Sequence, residues 1–279
     1  MITLKDVSYR YHSGTEALAH VNISVPEGIH LLLGENGAGK TTLLHIIAGL
    51  LFPTEGTCEV DGEKTRHRNP SVLSKVFLLA DNFTFPQPTV RMFAKYHSVF
   101  YPNFDESLFY ENLNAFGLSG NEPFKALSLG NKRKSLLAYS LALGTEVLLL
   151  DEPVNGLDLN SKQILRRMIA GSMTDSRTII VSTHTVSDLE TLFDGVIMLR
   201  RSEMILAAST SDIQKKLTFK KSTVPPVDAI FYTQAAGAFH SIVPADADNE
   251  SDVDFVLLYF AMQGQQSKNV LNLINNQEP

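Results

Sequence analysis

The sequence predicts an α/β fold: a parallel-sheet core with an N-terminal antiparallel β-subdomain, a helical insertion between the two halves of the sheet, and a small C-terminal α+β extension. Three patterns predict it. Segments 29–33, 76–80, 145–151 and 178–182, each built on a run of at least three apolar residues, read as buried strands, the habit of parallel sheets. Residues 2–25 instead alternate apolar and polar positions between turn signals at 12–14 and 26–28, the period of antiparallel strands. Helical periodicity dominates 89–143, and strand signals resume only after it.

Size and composition bound what such a fold can do. At 279 residues the chain suffices for one large α/β domain, or one with an appendage. Apolar content of 44% and a mean hydropathy of -0.01 are those of an ordinary globule. A formal charge of -6 argues against broad nonspecific binding to nucleic acid, which needs a basic surface. The single Cys58 excludes an intrachain disulfide, and the N-terminal residues lack the pattern of a signal peptide, so a reducing, cytosolic setting is expected. No apolar run approaches the roughly 20 residues that span a bilayer, so any work at a membrane calls for another chain to supply the spanning helices.

The most informative stretch follows the first buried strand. Gly34-Glu35-Asn36-Gly37-Ala38-Gly39-Lys40-Thr41-Thr42 fits G-x-x-x-x-G-K-[ST], with a strand at 29–33 before it and a helical pattern at 41–50 after it. By chance such a match arises in about one in a hundred chains of this length. A loop that curls its amides around phosphates has no room for Cβ atoms, hence the glycines at 34, 37 and 39. Lys40 is placed to reach the β- and γ-phosphates, and the Thr41 hydroxyl to ligate Mg²⁺. This defines a P-loop NTPase core.

The remaining elements follow in order. Tyr11, at the end of the first strand, offers a ring that can cover a base. A strand at 57–60 precedes the basic cluster 64–68, most simply a solvated loop. The strand at 76–80 leads to Asp81-Asn82 and a loop with two aromatics and two prolines. Thr89 is placed to cap a helix reaching about residue 98. Strand 145–151 ends in Asp151-Glu152, two acids at the sheet edge where α/β proteins bind ligands, the place for a Mg²⁺ partner to Thr41. A helix at 159–171, a strand at 178–182 and then Thr183-His184 put a histidine beside the same crevice. Strands at 195–199 and 203–206 and a helix at 210–217 close the core. Beyond it, 220–226 reads as a linker, 229–234 and 238–243 as paired strands, 251–262 as an amphipathic helix and 275–279 as a disordered tail.

Taken together the motifs resemble the nucleotide-binding subunit of ABC transporters over roughly residues 1–215. The specific element is Leu127-Ser128-Leu129-Gly130-Asn131, similar to the LSGGQ signature and standing between the P-loop and the VLLLDEP strand. The resemblance implies an ATP-binding domain at 1–217 with a helical insertion at about 89–143, and a small extension at 218–279. It implies ATP and Mg²⁺ as ligands, with Tyr11 stacked on adenine, residues 34–42 on the phosphates and Asp151 holding the metal. Glu152 is then the general base, His184 the switch histidine, and Asn155 to Asp158 a loop lining the dimer seam. Ser128 and Gly130 would reach the γ-phosphate held by the other protomer. The implied partners are a second copy or a paralogous ATPase subunit and a separate transmembrane permease, with the chain peripheral on the cytoplasmic face and no nucleic acid bound. The stretch at 101–105 and the tail resemble bacterial exporter ATPases, in which Phe83, Phe85, Met92 and Phe93 are candidates for a permease groove.

Departures from the family pattern are specific. Leu129 replaces a glycine, Asn131 the signature glutamine and Leu159 a frequent proline. The glutamine expected after strand 76–80 is missing; Asp81 or Asn82 stands there, with Gln87 further on, and Asp81 reads equally as a metal ligand or as a loop cap. The rival reading is a soluble ABC-type ATPase acting on a ribosome, nucleic-acid or assembly partner, disfavoured by the single nucleotide domain, the absence of coiled-coil heptads and the acidic charge. A non-hydrolysing regulator is disfavoured by Glu152, and a GTPase by the lack of an N-K-x-D motif.

Overall fold

The computed structural model describes residues 1–83, 88–184, 186, 189–245, 251–264 and 266–274. Near the N-terminus, β1 (Ile2–Arg10), β2 (Glu16–Val25), β4 (Glu55–Val60) and β5 (Glu63–Lys64) form an antiparallel sheet in the order β2-β1-β4-β5. The central sheet adds β3 (Gly28–Gly34), β6 (Val76–Leu79), β7 (Val147–Asp151), β8 (Thr178–Ser182), β9 (Gly195–Arg200) and β10 (Glu203–Ser209), in the order β10-β9-β3-β8-β7-β6. All its pairings are parallel except the β9–β10 hairpin.

The continuous aliphatic strands are explained by burial on both faces. Along β3, Leu31 and Leu33 face one core while Leu32 faces the other, and β7 splits in the same way, with Leu148 and Leu150 opposite Val147 and Leu149. Each fully buried side chain of this size contributes about 1.5–3 kcal/mol. The smaller core lies between the two sheets and encloses α1 (Lys40–Ile47), whose Leu43, Leu44, Ile46 and Ile47 are buried. The helix ends three residues earlier than its apolar pattern suggests, because Gly49 turns left-handed and the amides of Leu50 and Leu51 fold back on the His45 carbonyl. In the basic cluster at 64–68, Thr65 is buried and donates to the Ile46 carbonyl, so that stretch is partly anchored, not wholly a solvated loop.

The larger core lies on the other face. It holds the helical insertion, α3 (Val90–His97), α4 (Glu106–Ala115) and α5 (Leu129–Ala142), preceded in the chain by the short α2 (Pro70–Leu73). Tyr139 is fully buried there amid Phe77, Phe93, Phe104 and Phe109. Phe93 and Phe83 are packing residues; on α3 and the turn after it Met92, Tyr96, Val99 and Phe100 are exposed apolar side chains, spaced i, i+4, i+7 and i+8. Phe85 and Gln87 lie outside the described residues.

After α6 (Leu159–Gly171) and α7 (Thr210–Gln214), the chain enters β11 (Leu217–Ser222), so the segment read as a linker begins inside a strand. β12 (Phe231–Ala235) and β13 (Ala238–Pro244) complete a three-stranded antiparallel sheet. α8 (Phe255–Gln263) is not amphipathic: it is buried at Phe255, Leu257, Leu258, Ala261 and Met262, because it fills the space between this sheet and the main core. Its Phe255 ring meets Phe193 edge-on at 5.9 Å, and Arg200 Nη1 donates to the Met262 carbonyl at 2.9 Å. A further helix, α9 (Ser267–Ile274), has no counterpart in the sequence reading. The tail at 275–279 lies outside the described residues.

Candidate functional site

Parallel pairing gathers the chemistry at one sheet edge. Leu32 and Asp151 are both in register with Ser182, and Leu79 with Leu150, so the C-terminal ends of β3, β6, β7 and β8 open onto the same crevice. A cleft of about 380 Å³ lies there, bordered by Tyr11, residues of the 35–42 loop and helix start, Asp81, Asp151 and Glu152. The start of β2 also lines it, through Thr15, Glu16 and Ala17, which no sequence motif marks.

The loop is built for an anion. Gly37 has φ of 82° and Gly39 of 108°. A Cβ on Gly39 would stand 2.3 Å from the Ala17 carbonyl oxygen, so no other residue fits. Gly39 is also the N-cap of α1 and supplies no side-chain acceptor. In contrast, α3, α4, α5, α6, α7 and α8 are each capped by a side chain of the preceding residue, Thr89, Asp105, Ser128, Asp158, Ser209 and Asp254. The first amides of α1 and its positive dipole end are thus left for a ligand, the requirement for phosphate. Lys40 is buried, and its Nζ donates to the carbonyls of Gly34 (2.7 Å) and Glu35 (3.2 Å). Burial lowers its pKa, opposed by the charges of Glu152 and Asp151.

Two hydroxyls organise the first carboxylate. Thr41 Oγ1 donates to Asp151 Oδ2 at 2.8 Å, and Ser182 Oγ donates to Asp151 Oδ1. Ser182 was invisible in the sequence except as the residue before Thr183-His184. A hydroxyl and a carboxylate this close are hard oxygen donors of the kind Mg²⁺ takes. Among the described residues no cluster of three or more His, Cys, Asp or Glu could hold a metal by itself. The donor set therefore suits an ion that completes its shell with waters and phosphate oxygens.

Glu152 stands apart from Asp151 in conformation. Its φ is +49°, a left-handed geometry that costs a non-glycine residue about 1–2 kcal/mol. It is maintained by the Glu152 amide, which donates to the Ser182 carbonyl (2.9 Å) and Oγ (3.2 Å). The kink aims the carboxylate at His184, whose Nδ1 lies 2.9 Å from Glu152 Oε1 and whose amide donates to Oε2 at 3.4 Å. The histidine is half exposed and the glutamate buried, so the pair sits at the boundary of cleft and solvent. The Tyr11 and Thr42 hydroxyls share a 2.9 Å hydrogen bond, and Tyr9 meets the Tyr11 ring edge-on at 4.9 Å, leaving it partly exposed on the cleft rim.

The signature residues are placed elsewhere. Ser128 Oγ caps α5 by accepting from the Asn131 amide at 3.2 Å, and a Cβ on Gly130 would lie 3.2 Å from the Gly156 carbonyl. Asp158 caps α6 through Ser161 and takes Lys134 Nζ at 3.0 Å; the Ser161 amide and then Lys134 hold its carboxyl well below the ordinary range. Ser128, Gly130 and Asp158 thus share a surface, and none of them borders the cleft of their own chain. Asp81 does border it, but its Oδ1 accepts from Arg133 Nη1 (3.0 Å) and Asn155 Nδ2 (3.4 Å). Arg133 has no motif to announce it.

Comparisons with known proteins identify the family and the fold. The family model for the ABC transporter matches residues 18–155. The chain is 32% identical over 216 residues to the ABC transporter ATP-binding protein NatA of Bacillus subtilis (strain 168), covering 74% of this chain and 88% of NatA. Two solved structures share the fold. One is cbiO1 from Clostridium perfringens, described as part of the ABC transporter complex cbiONQ, with TM-score 0.62, 24% identity and coverage of 75% of this chain and 88% of that one. The other is the dimeric post-hydrolysis ATP-binding cassette MJ0796 bound to ADP and Pi, with TM-score 0.65, 24% identity and coverage of 75% and 98%. With a glycine-capped helix start, a hydroxyl–carboxylate pair and a kinked glutamate at one sheet edge, and with relatives of this kind, the chain belongs to the ATP-binding proteins of ABC transporters.

Proposed function

We propose that this protein binds and hydrolyses ATP with Mg²⁺ between two copies of the chain and thereby drives a separate transmembrane permease. The observation that carries the reading is the one-sided furnishing of the cleft. Phosphate loop, metal-type oxygens and base converge on it, while Ser128, Gly130 and Asp158 lie on a different surface of the same chain. A second copy facing the first would bring those residues to the nucleotide, as the dimeric state of MJ0796 suggests.

Each residue then has one task. Thr41 and Asp151 would hold Mg²⁺, which would neutralise phosphate charge when bound. Lys40 and the α1 amides stabilise the phosphates, and Tyr11 covers the base. Glu152 accepts a proton from the attacking water, while His184 orients its carboxylate. For the permease, the support is the name of NatA, the assembly named for cbiO1, and the exposed stripe Met92, Tyr96, Val99 and Phe100 on the insertion. No helix among the described residues is long and apolar enough to cross a membrane, so attachment through that partner fits a peripheral cytoplasmic position.

The test is Glu152→Gln in the full chain. ATP affinity is expected to persist, steady-state turnover to disappear, and an ATP-bound dimer to accumulate on gel filtration. Turnover at the wild-type rate would remove Glu152 as the base, and a variant that stays monomeric with ATP and Mg²⁺ would remove the shared site.

A further inference from the structure

We infer that Arg133 is a positioning residue for Glu152 and that Asp81 serves to orient Arg133; the inference rests on Glu152 being the base. The guanidinium projects from the first turns of α5 and joins three elements. Nη2 donates to the carbonyl of Asp151 at 3.1 Å and to the carbonyl of Glu152. Nη1 donates to the Asp81 carboxylate at 3.0 Å and to the Asp81 carbonyl at 3.3 Å. Arg133 thus binds the peptide units on either side of the Glu152 α-carbon, while Ser182 holds the Glu152 amide.

This grip acts on the residue whose backbone is strained. With φ of +49°, Glu152 keeps its left-handed kink only where its surroundings impose it, and the kink sets where the carboxylate points. Arg133 Nε is buried with no partner among the described residues, while Nη1 and Nη2 satisfy Asp81 and the two carbonyls. A planar fork reaches all of these acceptors at once; an ammonium does not. Arg133 is not among the residues bordering the cleft, so it acts through Glu152 and not on the nucleotide.

The consequence is mechanical as well as static. Arg133 lies five positions after Ser128, the cap of α5, so a shift of that helix as the seam closes is transmitted directly to the two carbonyls beside the base. Asp81 is then the anchor of this lever, and its Oδ1 is engaged accordingly.

The test uses the full-length chain and measures kcat, KM for ATP and the Mg²⁺ concentration for half-maximal rate. Arg133→Met is expected to lower kcat about 100-fold, the scale of a misplaced catalytic group, with KM changed by less than about twofold. Arg133→Lys restores part of kcat, since one donor nitrogen remains where the guanidinium has two engaged. Asp81→Asn, which keeps an acceptor for Nη1, lowers kcat less than Arg133→Met and leaves the Mg²⁺ dependence unchanged. Wild-type kcat in Arg133→Met, or a loss confined to KM, overturns the positioning role. A large rise in the Mg²⁺ requirement of Asp81→Asn makes Asp81 a metal holder and overturns its part. Should Arg133→Met not fold, Arg133→Lys and Asp81→Asn decide by the same criteria. Turnover surviving in Glu152→Gln would instead refute the base itself, whatever Arg133 does.

Discussion

Replacing Asp151 by Asn separates the structural from the metal-holding role of that carboxylate. The buried side chain receives one hydroxyl on each oxygen, from Ser182 and from Thr41. In the amide, Oδ1 still accepts from Ser182, and the Thr41 hydroxyl rotates to accept from Nδ2, so the hydrogen-bond count is kept. The nucleotide-free protein is therefore expected to change by no more than about 1 kcal/mol. Unfolding entropy of about 2.1 cal/mol/K per residue, over 279 residues, gives roughly 0.6 kcal/mol per kelvin, so Tm moves by less than about 2 °C. Ligand stabilisation behaves differently. ATP with Mg²⁺ at a hundred times its Kd adds about 2.7 kcal/mol, a rise of about 4–5 °C in the wild type. In Asp151→Asn the part of that rise that depends on Mg²⁺ is expected to vanish. The assay is a thermal melt with ATP in the presence and absence of Mg²⁺. A variant that keeps the full Mg²⁺-dependent rise refutes the metal role. One whose nucleotide-free Tm falls by 8 °C or more shows that the carboxylate is chiefly a structural hub.

Two further predictions address the seam and the fold. Ser128→Arg and Lys40→Ala are each expected to abolish turnover alone, while an equal mixture recovers about a quarter of wild-type activity, since half the dimers are mixed and each has one complete site; a mixture as dead as its components argues that sites are not shared. His30 is buried, and its Nε2 donates to the Pro26 carbonyl at 2.9 Å. Burial lowers its pKa against the opposing effects of that carbonyl and of Asp194. The unfolded chain takes up a proton near pH 6.5 while the native histidine stays neutral, so its contribution is full above that pH and is lost as pH falls below it, by at most about 1.4 kcal/mol per pH unit. Urea midpoints between pH 7.5 and 5.5 should fall more steeply for the wild type than for His30→Gln, and equal slopes would exclude His30 as the cause.

The parts of this molecule that were legible in the sequence are those where local chemistry dictates residue type. Gly39 must be glycine because of the Ala17 carbonyl, and Leu148 to Leu150 must be aliphatic because both faces of β7 are covered. Strands β7 and β8, helix α6 and the Thr89 cap of α3 are legible for that reason. What was not legible depends on contacts between distant segments. Ser182 and Arg133 carry no motif, and their roles arise only when β8 and α5 arrive beside Asp151 and Glu152. The strand reading at β11 failed because Lys220 and Lys221 look like a solvated linker, yet they sit on an edge strand paired with β13. Helix α8 departs from the amphipathic expectation because its less buried stripe is itself largely apolar, with Val256 partly buried and Phe260 exposed.

Helix ends supply the argument that joins the two halves of the proposed site. At α1 the cap position is a glycine, which offers no side-chain acceptor to the first amides. At α5 the cap is Ser128, whose Oγ already accepts from the Asn131 amide. A hydroxyl that accepts one hydrogen bond still has its own proton to donate. The two termini are therefore complementary toward the same anion: α1 offers amides and dipole, and α5 offers dipole and a hydroxyl proton held in direction by its own cap. Ser128→Ala removes both cap and donor, whereas Ser128→Asp keeps the cap and turns the donor into a negative charge. If α5 meets phosphate across the seam, Ser128→Asp must be the less active of the two despite being the more stable, and the opposite ranking of activities would mean that the cap alone is what matters at this position.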